Sequence, residues 1–525
     1  MQSLALAVLL LVACDAGREG THRRRDPGAL VVAEAAAVQS LDPLRVTDSE
    51  SIEVGSLIFE GLVRWKPGTT DIIAGLATAW TMSPDGKRWR FTLRDQVMFQ
   101  DGTPCDAAAV VFSFERLLDP KHPQYLSDED AAYRRGLLRS ITKLSAIDPR
   151  TVEIETSRPY APLLGDLAMF PIVSPTAVTR WGAAFEEHPV GTGPFAFEEW
   201  SRGERVVVRR YAGYWGDRPG VDRIVFRTVD DARQRLVELE SGSVDLATGI
   251  LPDEQAFVEL HPDLVLYGTP GNDVSYLAIN TQHPPFDDVR VRRAVNFAIN
   301  KEPIVKLAYQ GRAIAADGPL PPTQWAYHAP KTRYPYDPAA AKELLAEAAR
   351  DGAFDPNKTY KLAGLSTPRP YMAQPERVAR FIQAALAQVG MKTDLELLPY
   401  REHNARVSAG QHDLAIFGWV GDNGDPDNFL YVLFHSDNAS PPAPQNIAFY
   451  RNAEVDALLS EAQAASDEAT RAKLYAHVQD AIVEDAVWVP LAHSELVVAA
   501  RAELEGVVLS PIGHPVYALI RRRLP

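Results

Sequence analysis

The stretch that decides how this chain is read is Gly418-Trp-Val-Gly-Asp-Asn-Gly-Asp-Pro-Asp-Asn-Phe429, preceded by Asp413-Leu-Ala-Ile-Phe417. The apolar run 414–417 reads as a short buried strand. A second apolar run, 430–434, follows Phe429. Between them stand three carboxylates, Asp422, Asp425 and Asp427, with three glycines and a proline. That density of glycine and proline means a loop with unusual backbone angles. Ligands of open α/β sheets collect beyond the carboxyl ends of strands, so an acidic loop headed by Trp419 is a candidate binding site. Several readings of it are open. A solvated acidic turn is the plainest. A calcium loop of the EF-hand type needs Gly at its sixth place and Glu at its twelfth. Counted from Asp422 those places hold Asp427 and Leu433; counted from Asp425 they hold Leu430 and Ser436. A pair of carboxylates working as acid and base would make a hydrolase, yet nothing in the spacing separates acid from base. The last reading is a carboxylate that captures the cation of a ligand, with Trp419 walling the pocket.

The run resembles the same stretch in periplasmic dipeptide-binding proteins of ABC peptide importers, a branch of the peptide/nickel solute-binding proteins of family 5. In that family the Asp three residues after the Trp holds the ligand's α-ammonium, which implies that role for Asp422. An upstream Arg-Pro-Tyr turn, here Arg369-Pro370-Tyr371, carries the Arg that holds the ligand's carboxylate. Trp419 and the backbone of Val420 and Gly421 would then shape the slot for the peptide main chain. The likeness extends upstream. Trp89-Arg-Phe-Thr-Leu93, then Phe99-Gln-Asp-Gly-Thr-Pro104, then a helix through Val110-Val-Phe-Ser-Phe114 repeat the order of the family's signature region. Gly191-Thr-Gly-Pro194 resembles the family's Gly-Thr-Gly-Pro turn, a structural feature near a domain crossover.

Composition sets outer bounds. A chain of 525 residues is too long for one core. Hydrophobic content of 46% and charged content of 23% are those of a globular protein. The net charge of −15 argues against nucleic acid as a partner. No H-E-x-x-H, G-x-S-x-G, C-x-x-C or P-loop motif occurs. His403 and His412 lie near the acidic loop, nine residues apart; surface positions are expected for both, and no metal site or cofactor is assigned. Cys14 ends an apolar run from Leu4 to Ala13 that is too short to span a bilayer and fits a signal-peptide core. Leu11-Val-Ala-Cys14 resembles a lipobox, which implies cleavage and lipidation of Cys14, although Met1-Gln-Ser3 lacks the usual basic residue. Cys105 is then expected to be unpaired.

Periodicity and punctuation place further elements. The segment 51–65 has helical apolar spacing, and 76–93 reads as a hairpin about a Pro-Asp-Gly turn. Asp106 caps a helix to about Leu118. The polar segment 119–139 is expected to be a long connection. Asp337 followed by Pro338 opens a helix to Arg350, and 376–389 forms another, closed at Gly390. Near the end, 487–491 and 495–499 read as two strands. The fold expected is α/β, two-lobed and periplasmic-binding-protein-like (class II, or cluster C), with an additional third domain. The expected boundaries are a signal peptide at 1–14, a tether at 15–28, lobe I at 29–56, 188–272 and 488–525, domain II at 57–187 and lobe III at 273–487. The expected function is that of a monomeric extracytoplasmic lipoprotein, anchored in the periplasm. It delivers small peptides, foremost dipeptides, to the permease and ATPase subunits of an importer. Nickel, haem or another small solute is the alternative ligand, and a hydrolase built on the Asp cluster the alternative class.

Overall fold

The computed structural model describes residues 28–440 and 444–523. Its main sheet has twelve strands. Their order along the sheet is Phe195–Ser201, Arg205–Arg210, Arg223–Thr228, Ala29–Glu34, Leu246–Ala247, Trp488–Arg501, Asp273–Ile279, Leu414–Val420, Thr359–Leu365 and Lys392–Leu398. Leu264–Pro270 and Ala313–Ala315 also pair with Trp488–Arg501. The mixed α/β architecture agrees with the expected fold class.

Trp488–Arg501 joins the two halves of this sheet. Its first residues pair with Asp273–Ile279, and the later ones with Leu264–Pro270. The sequence suggested two strands, 487–491 and 495–499, because His493 and Ser494 interrupt the apolar pattern. The structure shows one strand of 14 residues. Its polar interruption is buried and satisfied at the crossing. Ser494 N–H donates to Asp273 Oδ1 at 2.9 Å, the Ser494 hydroxyl bonds the other carboxylate oxygen, and Gly271 N–H donates to Ser494 O at 2.8 Å. Burial raises the Asp273 carboxyl to about 6.

Three sets of cores accompany the sheet. The first gathers Leu30, Val32, Val208, Ile224 and Phe226 with Tyr517 and Ile520 from the far end of the chain. The second lies on a separate four-stranded antiparallel sheet, Ala77–Met82, Arg88–Leu93, Thr151–Thr156 and Ile141–Asp148, crossed by the helix Ala107–Leu118. Buried Cys105, a free thiol, belongs here. The third pair of cores covers the two faces of Leu414–Val420. Leu414 and Ile416 face one, Ala415 and Phe417 the other. Burial on both faces is why this strand reads as an unbroken apolar run rather than an alternation.

Two segments depart from the sequence reading. The helix expected over 51–65 ends at Ile58, and Val63–Trp65 is a strand. Gly191 and Gly193 pack there without side chains: a Cβ on either would come within 2.4 Å of the Leu57 or Ile58 carbonyl. The connection 119–139 contains the helical segment Asp128–Leu137, kinked at Ala131. Its charged composition hid it, because only one side meets a core. Among the described residues no helix is long and apolar enough to cross a membrane.

Candidate functional site

The strand Leu414–Val420 extends three residues beyond its apolar run. Trp419 and Val420 therefore sit in the ladder, opposite Val274 and Asp273. Gly421 ends it. Its N–H donates to Asn272 O at 2.7 Å, and Asn272 Nδ2 donates to Gly421 O at 3.0 Å. A Cβ at Gly421 would lie 2.3 Å from Asn272 and from the Phe429 ring. Gly421 is thus a close-packing position whose N–H and carbonyl both bond Asn272. The loop that follows is held by Asn428, which the sequence reading passed over. Its Oδ1 accepts from Trp419 Nε1 at 2.9 Å and from Asp422 N–H at 3.0 Å. One carboxamide therefore fixes both the indole and the backbone of the candidate acid.

The three carboxylates have separate fates. Asp425 is 8% exposed and receives a two-pronged contact from Arg471, at 2.9 and 2.6 Å. Asp427 is 5% exposed and accepts from Gln463 Nε2 at 2.9 Å. Burial raises Asp427 to about 7, with the Asp425 charge adding to the rise. Asp422 alone is partly exposed. Burial raises its carboxyl too, opposed by hydrogen bonds from Tyr133 and Asn428 and by the charge of Arg134. Tyr133 and Arg134 come from the helix Asp128–Leu137, so the helix absent from the sequence reading brings two polar residues to the candidate site.

Arg369 lies in a tight turn closed by Arg369 N–H to Met372 O at 3.0 Å and Met372 N–H to Arg369 O at 2.9 Å. Tyr371 presses the turn onto the Trp419 strand. Gly418 has a bare Cα there because a Cβ would lie 2.2 Å from the Tyr371 ring. The Arg369 guanidinium stacks 4.0 Å over the Tyr400 ring, with Nε buried and without a hydrogen bond. Among the described residues no carboxylate pairs with it. Pro370 and Ala373, beside it, line a cleft of about 240 Å3. Thr248, Gly249, Ser494 and Ser510 line the same cleft. Asp422 does not line that cleft; its neighbours are Tyr133 and Arg134. The structure thus sets Asp422 and Arg369 on two attachments of one strand end.

His403 and His412 are fully buried rather than at the surface, and burial lowers both to about 4. The two neutral rings pack against Phe417 and Phe449. Cys14 lies outside the described residues.

The profile of bacterial extracellular solute-binding proteins, family 5 Middle, matches residues 71–441. The chain belongs to this family. Among its relatives, heme-binding protein A of Haemophilus influenzae is 34% identical over 98% of this chain and 97% of that one. The dipeptide-binding protein of Escherichia coli is 33% identical over 92% of each. Glutathione-binding protein GsiB of Escherichia coli is 34% identical over 92% of each. In three dimensions the solute-binding protein is similar to HbpA2 of Haemophilus parasuis, with a TM-score of 0.87 and 29% identity over 94% of this chain and 100% of that one. It is also similar to the periplasmic binding protein DppA of Helicobacter pylori in complex with the peptide STSA. That TM-score is 0.77, at 33% identity over 95% and 98% of the two chains.

In this solute-binding protein the acidic loop also meets the second core. Asn423 Nδ2 donates to Asp166 Oδ1 at 2.7 Å, Trp65 Nε1 donates to Asn423 O at 3.3 Å, and Ala161 N–H donates to Gln463 O at 2.8 Å. Tyr160 donates to the other oxygen of Asp166. Burial lifts Asp166 to about 8, with Asp427 and Asp425 adding to the rise. Asp166 and Asp427 thus keep their protons in the folded protein where the unfolded chain has lost them. The folded state binds more protons between about pH 4 and pH 8, so these groups make stability fall as pH rises through that window. Asp166→Asn, neutral throughout, is expected to gain melting temperature relative to the parent between about pH 5 and about pH 8.5. Parallel melting curves across that range would dismiss the linkage.

Proposed function

We propose that this solute-binding protein captures peptides by their charged ends, dipeptides foremost, and delivers them to an ABC importer. The reading is supported by two groups: Arg369, a cation with no carboxylate partner among the described residues, and Asp422, the one partly exposed acid of its loop. Both are braced against the end of the Trp419 strand. A dipeptide offers an ammonium and a carboxylate roughly 7 Å apart when extended. Asp422 supplies a point acceptor and Arg369 a planar fork. The names of the relatives support the class: a dipeptide-binding protein, glutathione-binding proteins, and a neighbour in complex with a tetrapeptide.

In this reading, lobe I comprises 29–56, 188–272 and 488–525, lobe III comprises 273–487, and domain II comprises 57–187. The lobes close about the crossing at Asp273 and Ser494. Closure would bury both end charges, which favours the occupied state because either charge alone is costly to bury. The site is one of binding rather than hydrolysis. Asp425 and Asp427, the other acids of the cluster, are buried and engaged by Arg471 and Gln463. Mass spectrometry of the ligand that co-purifies with the protein tests the reading: small peptides, recovered intact, are expected. Steady cleavage of added dipeptides, lost in Asp422→Asn, would replace it with a hydrolase.

Membrane attachment by a lipid on Cys14 is part of the same proposal. Cys14→Ser is expected to abolish incorporation of labelled palmitate and to move the protein out of the membrane fraction. Equal labelling of variant and parent would remove the anchor.

A further inference from the structure

We propose that a cavity beside Lys301 binds one monovalent anion of halide size, chloride foremost, held by Lys301 and Arg333. The site lies apart from Asp422 and Arg369, and the inference does not depend on the peptide reading.

The cavity has a volume of about 20 Å3. It lies between the first turn of the helix Lys301–Ala308, the start of the strand Trp488–Arg501 and the end of the helix Glu468–Glu484. Its charged lining residues are Lys301, Arg333 and Asp317. Asp317 already pairs with Arg333, and the two side chains are 46% and 49% exposed. That pair forms the rim, and one positive charge is left over, that of Lys301. Its Nζ donates to Ala316 O at 2.7 Å. An ammonium has three donors, so two remain. The lysine ion pairs among the described residues are Lys143 with Glu155 and Lys331 with Asp480, and Lys301 has none. Burial lowers the Lys301 ammonium to about 8, and the Arg333 charge adds to the fall. The nearby ring of His493 brings no negative charge; burial lowers it to about 4, and it stays neutral. Trp488 also lines the cavity, and its Nε1–H is buried without a hydrogen-bond partner.

The lining selects what enters. Two cations against one carboxylate leave room for a single negative charge. A cation enclosed without an anion is costly. The space is that of about one body of water size, so a halide fits, while sulfate and phosphate are too large. The side chains of Pro319, Pro490, Ile482 and Val483 complete the walls. They are apolar, so they leave the field of Lys301 poorly screened. A water molecule would fill the same volume and leave the charge unanswered. The chain as a whole carries a net charge of −15, which keeps anions off its surface in general. A specific response to chloride is therefore the mark of a built site.

Chloride titration of the whole folded protein tests this, with gluconate holding the ionic strength constant. Melting temperature and chloride NMR line width are the readouts. The parent is expected to melt higher as chloride replaces gluconate, bromide to act like chloride, and sulfate to give no gain. Lys301→Met should weaken chloride binding about ten-fold or more, and Asp317→Asn, which removes the one competing carboxylate, should tighten it about three-fold. Crystals soaked in bromide should show its anomalous peak in this cavity. Equal melting in chloride and gluconate means water alone and would overturn the inference. So would a chloride response kept in Lys301→Met, or a bromide peak absent from the cavity. Should Lys301→Met fail to fold, Asp317→Asn decides: affinity unchanged or weakened there rejects the site.

Discussion

Arg369→Ala is expected to lower dipeptide affinity by two to three decades, the equivalent of about 3–5 kcal/mol for a charge left without its partner in a closed site. The same change should narrow the gap between dipeptides and longer peptides. The argument is one of length. Asp422 fixes one end of the ligand and Arg369 the other. Each added residue lengthens an extended peptide by about 3.3–3.6 Å, further than an ion pair stretches. A tetrapeptide must leave its carboxylate away from Arg369 or hold the lobes apart, so it has less to lose when Arg369 goes. Asp422→Ala should weaken all lengths alike, because every peptide has an ammonium, and N-acetylation of the ligand should mimic it. Calorimetry with di-, tri- and tetrapeptides on both variants measures this. Equal dipeptide binding by the parent and Arg369→Ala would dismantle the two-ended clamp.

The second large effect falls on stability. Arg471→Met is expected to cost about 3–5 kcal/mol, because it strands the buried Asp425 carboxylate. Asp425 also organises the loop: its Oδ1 accepts from Asp427 N–H at 3.0 Å, and its own N–H donates to Asn423 Oδ1 at 3.0 Å. Peptide affinity should therefore fall together with stability. The double variant Arg471→Met with Asp425→Leu should recover much of the stability, since two apolar groups of similar volume leave no charge behind. It should not recover affinity, because the turn loses its internal acceptor. Urea unfolding followed by fluorescence reads the first, and calorimetry the second. A single variant as stable as its parent would mean that water reaches Asp425.

Much of this was legible from residues alone. Asp106 and Asp337 cap their helices as their side chains suggested. The strand at 414–417 announced itself through four apolar residues buried on both faces. What escaped had specific causes. Trp419 and Val420 looked like loop because a glycine stands before them, yet Gly418 is bare only to admit the Tyr371 ring. The helix Asp128–Leu137 has a charged surface, so its periodicity was hidden along with Tyr133 and Arg134. Asn428 carries no signature at all, since a carboxamide between two donors looks like any other Asn in sequence. The three acids looked equivalent until Arg471 and Gln463, far along the chain, divided them.

The strand Trp488–Arg501 has a further consequence, which concerns time rather than shape. Ala29–Glu34, near the beginning of the fold, reaches its neighbours only through distant segments. Arg522 donates to Ala29 O at 2.9 Å across 493 positions, and Tyr517 bonds Glu53 across 464. The short strand Leu246–Ala247 joins Ala29–Glu34 to Trp488–Arg501, whose early residues already serve the other half. A chain that emerges from its amino end cannot seal the first core until these last residues are out. Contacts so remote in sequence form slowly, and the intervening second core can mature while the first waits open. Translation thus meets a chain whose earliest strand waits for its last residues before its core can close.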